Sequence, residues 1–163
     1  MPIKIKNMLK NNFYSAFTLI ELLVVITIIG ILASVVLVQF PTTTNVARDS
    51  RIVSAMAQAR TIMSTLYTLD GNFSRFNCSY PDMVELCNEV SNNQKFSVGT
   101  RGLQIRANNN LDPPAACMYA KLNSKDNYWY CIDSQGHAGY TNTNPDHDLY
   151  CRDTGSAVCP PVY

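Results

Sequence analysis

The chain has 163 residues, and 13 Lys and Arg against 12 Asp and Glu give a formal net charge of +1. That is chain enough for one domain plus an anchor. With the leader lysines set aside, no basic patch remains that would suggest a nucleic-acid binder.

The charge that exists is skewed to the N-terminus. Lys4, Lys6 and Lys10 precede Ala16 with no acid among them; the rest holds 10 basic against 12 acidic side chains, a net of −2. An apolar run follows at once, and from Phe17 to Phe40 Glu21 is its sole ionisable residue. A helix of about 24 residues is about 36 Å long, which exceeds a hydrocarbon core of about 30 Å. Lysines before such a run place the N-terminus in the cytoplasm and the remainder outside.

Three readings compete for this run. A cleaved secretory signal has an apolar stretch of only about 7–15 residues and a small-residue cleavage site, whereas this run leads into Gln39, Phe40 and Pro41. A plain single-span anchor explains length and orientation but gains nothing from Glu21, since a carboxylate at the bilayer centre costs about 2.5–3.5 kcal/mol. Cleavage before Phe17 supplies a reason. It creates an α-amino group that is positive at neutral pH, and Glu21 lies four residues on, one helical turn away on the same face. The acid then meets an amine, its own or a neighbour's, in a low dielectric where the attraction is strong.

The stretch Ala16-Phe17-Thr18-Leu19-Ile20-Glu21-Leu22-Leu23-Val24-Val25-Ile26 resembles the class III signal of type IV pilins and type II secretion pseudopilins. The resemblance covers about two dozen residues. It implies cleavage between Ala16 and Phe17 by a prepilin peptidase/N-methyltransferase, N-methylation of Phe17, and Glu21 as the residue that sets subunit registry. It also implies an inner-membrane assembly platform, a homo- or hetero-oligomeric filament as partner, and helix flexibility at Gly30 and Pro41. The family's usual residue before the cut is Gly; this chain has Ala16.

Beyond Pro41, which bends a helix by removing one backbone bond, a helical pattern resumes. Ile52, Met56, Ala59, Met63 and Leu66 recur at three- and four-residue steps, flanked by Val53 and Tyr67. That spacing predicts an amphipathic helix with one buried face. Thr44 or Asn45 is placed to cap its start, and Asp70-Gly71 to stop it with Gly71 left-handed. Asn72 to Asn110 reads as a connecting region with a short helix around Asp82–Val90. Cys117–Leu122 and Tyr128–Asp133 read as a hairpin. Centring its turn on Ser124 sets Cys117 opposite Cys131 and Tyr119 opposite Trp129. His137–Thr141 follows as a third strand.

All six cysteines lie after the anchor, which reads as a disulfide framework in an oxidising space. Six cysteines allow 15 pairings. The sequential set, Cys78–Cys87, Cys117–Cys131 and Cys151–Cys159, is the expectation, with diagonal pairings such as Cys131–Cys151 left open.

No catalytic constellation stands out. His137 and His147 read as solvated surface groups. Asp146, Asp148 and Asp153 offer oxygens, but the D-x-[DN]-x-[DN]-G loop is absent, so no metal site and no cofactor are expected. The fold class expected is α+β: a long N-terminal helix, membrane-spanning then amphipathic, packed on a small antiparallel sheet with disulfide-tied loops. The divisions are a leader over 1–16, a transmembrane assembly helix over 17–41, an amphipathic helix over 42–71 and a disulfide-rich head over 72–163. The expected function is a non-enzymatic filament subunit, held first in the lipid bilayer of the inner membrane and then in a cell-surface or periplasmic filament, with no small-molecule substrate. The alternative is a monomeric anchored binding module that uses Tyr119, Tyr128, Trp129 and Tyr130 as a stacking surface.

Overall fold

The structure, a computed structural model, describes residues 17–95, 102–146, 150–152 and 156–163, with backbone alone over 38–42. It divides into two compact units, Met1–Phe40 and Pro41–Tyr163. Helix α1 (Leu19–Asp70) contributes to both. Because α1 contains Thr44 and Asn45, there is no second helix start for them to cap.

In the second unit, α1 buries Ile52, Ala55, Met56, Ala59, Met63 and Leu66, each 2 % exposed or less. These residues repeat at three- and four-residue steps and so form one stripe. The helix ends where Gly71 takes φ +67° and donates its N–H to Tyr67 O at 2.8 Å, a conformation glycine adopts without Cβ strain. Helix α2 (Pro81–Asn93) starts with Pro81 at a position where a missing N–H costs nothing. It turns Met83, Cys87 and Val90 onto the same core.

Four antiparallel strands complete the fold in the order β1 (Gln104–Asn108), β2 (Ala115–Lys121), β3 (Trp129–Asp133) and β4 (Ala138–Thr141). Strand β1 falls inside the segment read from sequence as a connection. Its alternation was there to see: Leu103, Ile105 and Ala107 pack on the core, and Gln104 and Arg106 alternate with them. Every residue of β2 and β3 is buried. One sheet face, with Ala116, Met118, Ala120, Tyr130 and Ile132, meets the helices. The opposite face, with Ala115, Cys117, Tyr119, Trp129 and Cys131, meets Cys151, Ala157 and Cys159 of the C-terminal tail.

The tail therefore acts as a third layer, and this corrects two of the expected disulfides. The structure joins Cys78 to Cys87, but Cys117 bonds to Cys151 and Cys131 to Cys159, in place of Cys117–Cys131 and Cys151–Cys159. The hairpin register explains it. Cys117 sits opposite Asp133, and Tyr119 opposite Cys131, two residues from the centring on Ser124. A slip of two keeps every side chain on its face, so both sheet cysteines still point to one side, where the tail covers them. The slip follows from Asp49 of α1, whose carboxylate accepts the N–H groups of Asn123 (2.7 Å) and Ser124 (2.8 Å) and the Asn123 amide (2.9 Å). Those amides serve the helix instead of a tight turn, and the loop closes later, by Leu122 N donating to Tyr128 O at 2.8 Å.

Asp133 does the same for the tail. Its buried carboxylate accepts the N–H groups of Gln135 (3.0 Å), His137 (2.9 Å) and Cys159 (2.9 Å), with His137 Nδ1 2.8 Å away. Tyr163 then exchanges two backbone hydrogen bonds with Tyr140, covering the outer edge of β4. Gly139 makes room, since a Cβ there would lie 3.0 Å from Val162 Cβ.

Two outcomes follow. Asp49→Ala strands the two loop amides and lowers the unfolding free energy of the detergent-solubilised chain by about 2–4 kcal/mol; Asp49→Asn, keeping one acceptor oxygen, loses less. Denaturant titration reads both. Reducing the disulfides frees the tail over Trp129, the single tryptophan, and moves its fluorescence to longer wavelength. Unchanged emission after complete reduction contradicts the tail's role as cover.

Candidate functional site

The N-terminal part of α1 has a composition no water-exposed helix tolerates. From Leu19 to Leu37, 19 residues with a mean hydropathy of 2.8 have no share buried by the rest of the chain. The apolar surface runs all round: Leu19, Ile26, Ile29, Ile31, Leu32 and Leu37 are each more than half exposed. Such a helix is about 28 Å long, the thickness of a bilayer's hydrocarbon core. Length and composition make it a candidate membrane span.

In hydrocarbon every polar group needs an internal partner, and the described side chains meet that demand. Thr27 and Ser34 donate their hydroxyls to Val24 O and Ile31 O, both at 2.7 Å. Glu21 is satisfied by Thr18. Its Oε2 accepts the Thr18 N–H at 2.9 Å and the Thr18 hydroxyl at 2.7 Å, while the Glu21 N–H donates to Thr18 Oγ1 at 3.3 Å. Leu22 N donates to Thr18 O at 3.3 Å, the first helical bond. Thr18 is thus the N-cap and Glu21 the third helical residue, a reciprocal capping box. Periodicity and charge alone give Thr18 no part in holding Glu21, although Thr-x-x-Glu before an apolar run is a legible signature of this motif.

Phe17, 80 % exposed, precedes the cap; Ala16 lies outside the described residues. Phe17 is one residue from the group that holds Glu21, so an amine created at Phe17 would arise next to the capping box. Gly30 has no atom within 4 Å of where a Cβ would stand. Nothing among the described residues therefore requires glycine there; Ser34, also small, lies four residues on, on the same face. Pro41 stands inside α1, where it donates no backbone bond to the preceding turn.

The head's candidate residues resolve differently. The aromatic cluster does not make a stacking surface. Tyr119 and Trp129 face the tail and Tyr130 faces the helix, at 3 %, 9 % and 9 % exposure. Tyr128 is partly buried, stacked on Tyr140 with ring centroids 5.4 Å apart. Alternation along the strands splits residues that the sequence lists side by side. His137 is exposed, as expected, and its ring also reaches back to the buried Asp133 carboxylate, with Nδ1 2.8 Å away. Asp146 donates its N–H to Asn144 Oδ1 at 3.1 Å, while His147, Asp148 and Asp153 lie outside the described residues. Among the described residues no group of three or more His, Cys, Asp and Glu is placed to hold a metal ion.

Comparison with known proteins bears on the N-terminal segment alone. No curated protein and no solved structure matches the chain. A family model does: residues 11–37 carry the prokaryotic N-terminal methylation motif, the class III prepilin signal of type IV pilins and pseudopilins.

Proposed function

We propose that the chain is a structural subunit, a pilin or pseudopilin, of an extracytoplasmic helical filament of the type IV pilus or type II secretion kind. A prepilin peptidase/N-methyltransferase cuts between Ala16 and Phe17 and methylates the new amine. The mature subunit waits in the inner membrane with its head outside, and an assembly platform moves it into the filament. The observation that carries this reading is the pairing of an all-round apolar, uncovered helix with one acid, Glu21, in its first turn.

The mechanism follows from that geometry. Thr18 holds the Glu21 carboxylate at the helix end, so the negative charge sits at a fixed height. The Phe17 amine of an adjoining subunit is its complement, and in an apolar surround the two attract strongly. Repeating this contact head to tail gives an association that does not close on itself and grows into a filament. Gly30 and Pro41 are the points where α1 gives way as it packs among its neighbours.

The test separates the acid's charge from its capping role. Glu21→Gln keeps an oxygen to accept from Thr18, since glutamine also serves in a capping box, but it carries no charge. Both Glu21→Gln and Glu21→Ala should insert in the membrane normally and fail to enter filaments. Loss of only 1.4 kcal/mol of contact energy already means about tenfold less incorporation. Glu21→Gln filaments at wild-type yield would refute charge pairing as the registry device. Mass spectrometry of the mature chain should find methylated Phe17 at its start; a chain that still begins at Met1 would refute the processing step.

A further inference from the structure

The connection between α1 and α2 carries two Asn-x-Ser tripeptides, Asn72-Phe73-Ser74 and Asn77-Cys78-Ser79. This pattern is the acceptor for N-linked glycan transfer. Both asparagines make the same local turn: Asn72 Oδ1 accepts the Ser74 N–H and Asn77 Oδ1 accepts the Ser79 N–H, each at 2.9 Å. A turn of this kind accounts for the asparagine but asks nothing of the serine hydroxyl, and there the two sites part.

The first tripeptide is wound into the fold. Phe73 is 2 % exposed, its N–H donates to Asn109 Oδ1 at 2.8 Å, and Ser74 Oγ accepts from the Asn109 amide at 3.2 Å. The second stands clear. Asn77, Cys78 and Ser79 are all exposed, and the Ser79 hydroxyl makes no hydrogen bond among the described residues. The fold presents it from a firm base. Phe73 and Phe76 are buried on one side, an Asp70–Arg75 ion pair closes the loop, and the Cys78–Cys87 disulfide holds it against α2. The Asn77 amide donates to Ser74 O at 3.2 Å, the long end of the ordinary range, and at an exposed residue water can replace that bond.

We propose that Asn77 is an N-glycosylation acceptor, taking an oligosaccharide from a polyprenyl-diphosphate-linked donor at the outer face of the membrane. In the transfer Asn77 Nδ2 forms a bond to the anomeric carbon of the glycan. The bond from that carbon to the diphosphate oxygen breaks, the lipid diphosphate leaves with the electron pair, and the amide gives up one proton. The inference rests on the proposed export of the head, since acceptor and donor must share a compartment.

Protein purified from its own cells tests it. The peptide containing Asn77 should carry a glycan mass. Ser79→Ala should abolish it while leaving the Asn77 turn, which uses the backbone N–H of residue 79; Ser79→Thr should restore it, and Asn72→Gln should leave it unchanged. An unmodified Asn77 in the wild-type chain, or a glycan that survives Ser79→Ala, overturns the inference. Protease access from outside the membrane is read alongside. An accessible but unmodified head sinks the glycan and spares export; a shielded, unmodified head sinks both.

Discussion

An ionised carboxylate in hydrocarbon is affordable only where donors surround it, and the first turn of a helix is where backbone N–H groups lack partners. The Thr18–Glu21 capping box joins these two needs. The helix end requires an acceptor, the acid requires donors, and the reciprocal hydrogen bonds supply both. The positive end of the helix dipole adds to the effect. The same arrangement settles where along the span the charge lies: in its first turn, three residues after the cap, and not at mid-depth. A charge of fixed height is what the registry role proposed for Glu21 requires.

The second unit uses the same device twice, at positions far apart in sequence. Asp49 gathers three donors from Asn123 and Ser124. Asn123 in turn donates to Asn93 O and accepts the Lys95 N–H. One carboxylate and one amide thus lock α1, the end of α2 and the β2–β3 loop together. Asp133 locks the β3–β4 turn to the tail. A buried carboxylate accepting several backbone N–H groups is strongly favoured over one left bare. The disulfides then restrict the unfolded chain, each worth about 2–4 kcal/mol. The thin sheet needs these supports, because on its own it has only one face toward the helices.

Much of this was legible in the sequence, and the parts that were not share a cause. The apolar span, the Ile52–Leu66 stripe, the second helix, the hairpin strands and the Gly71 stop all follow from local periodicity and local conformational preference. Register does not. It depended on Asp49, 74 residues from Asn123, and no local rule sees a carboxylate that arrives from another element. The disulfide pairing failed for the same reason: covering the second sheet face with the tail is a tertiary event, and it decides which sulfurs meet. The aromatic surface failed because neighbours along a strand point to opposite faces. Strand β1 and the Thr18 cap are different cases, since alternation and Thr-x-x-Glu were both present and simply weak against their surroundings.

The contrast between the two units bears on what would drive the proposed assembly. The second unit, Pro41–Tyr163, buries its core within itself, whereas the span from Leu19 to Leu37 buries none of its residues. In water that surface would cost about 25 cal/mol for each Å², so the span must lie in lipid or among other helices. Between those two states, however, the hydrophobic effect is nearly indifferent, because lipid tails are as apolar as leucine. Apolar burial therefore places the helix out of water but cannot select filament over membrane. In the proposed assembly the selection would fall to the few features that lipid cannot match: a carboxylate that a cation can meet, and the Gly30–Ser34 step, small enough for a neighbouring backbone to come close. On this argument the least hydrophobic residues of the span, and not its bulk, would decide whether it leaves lipid for the proposed filament.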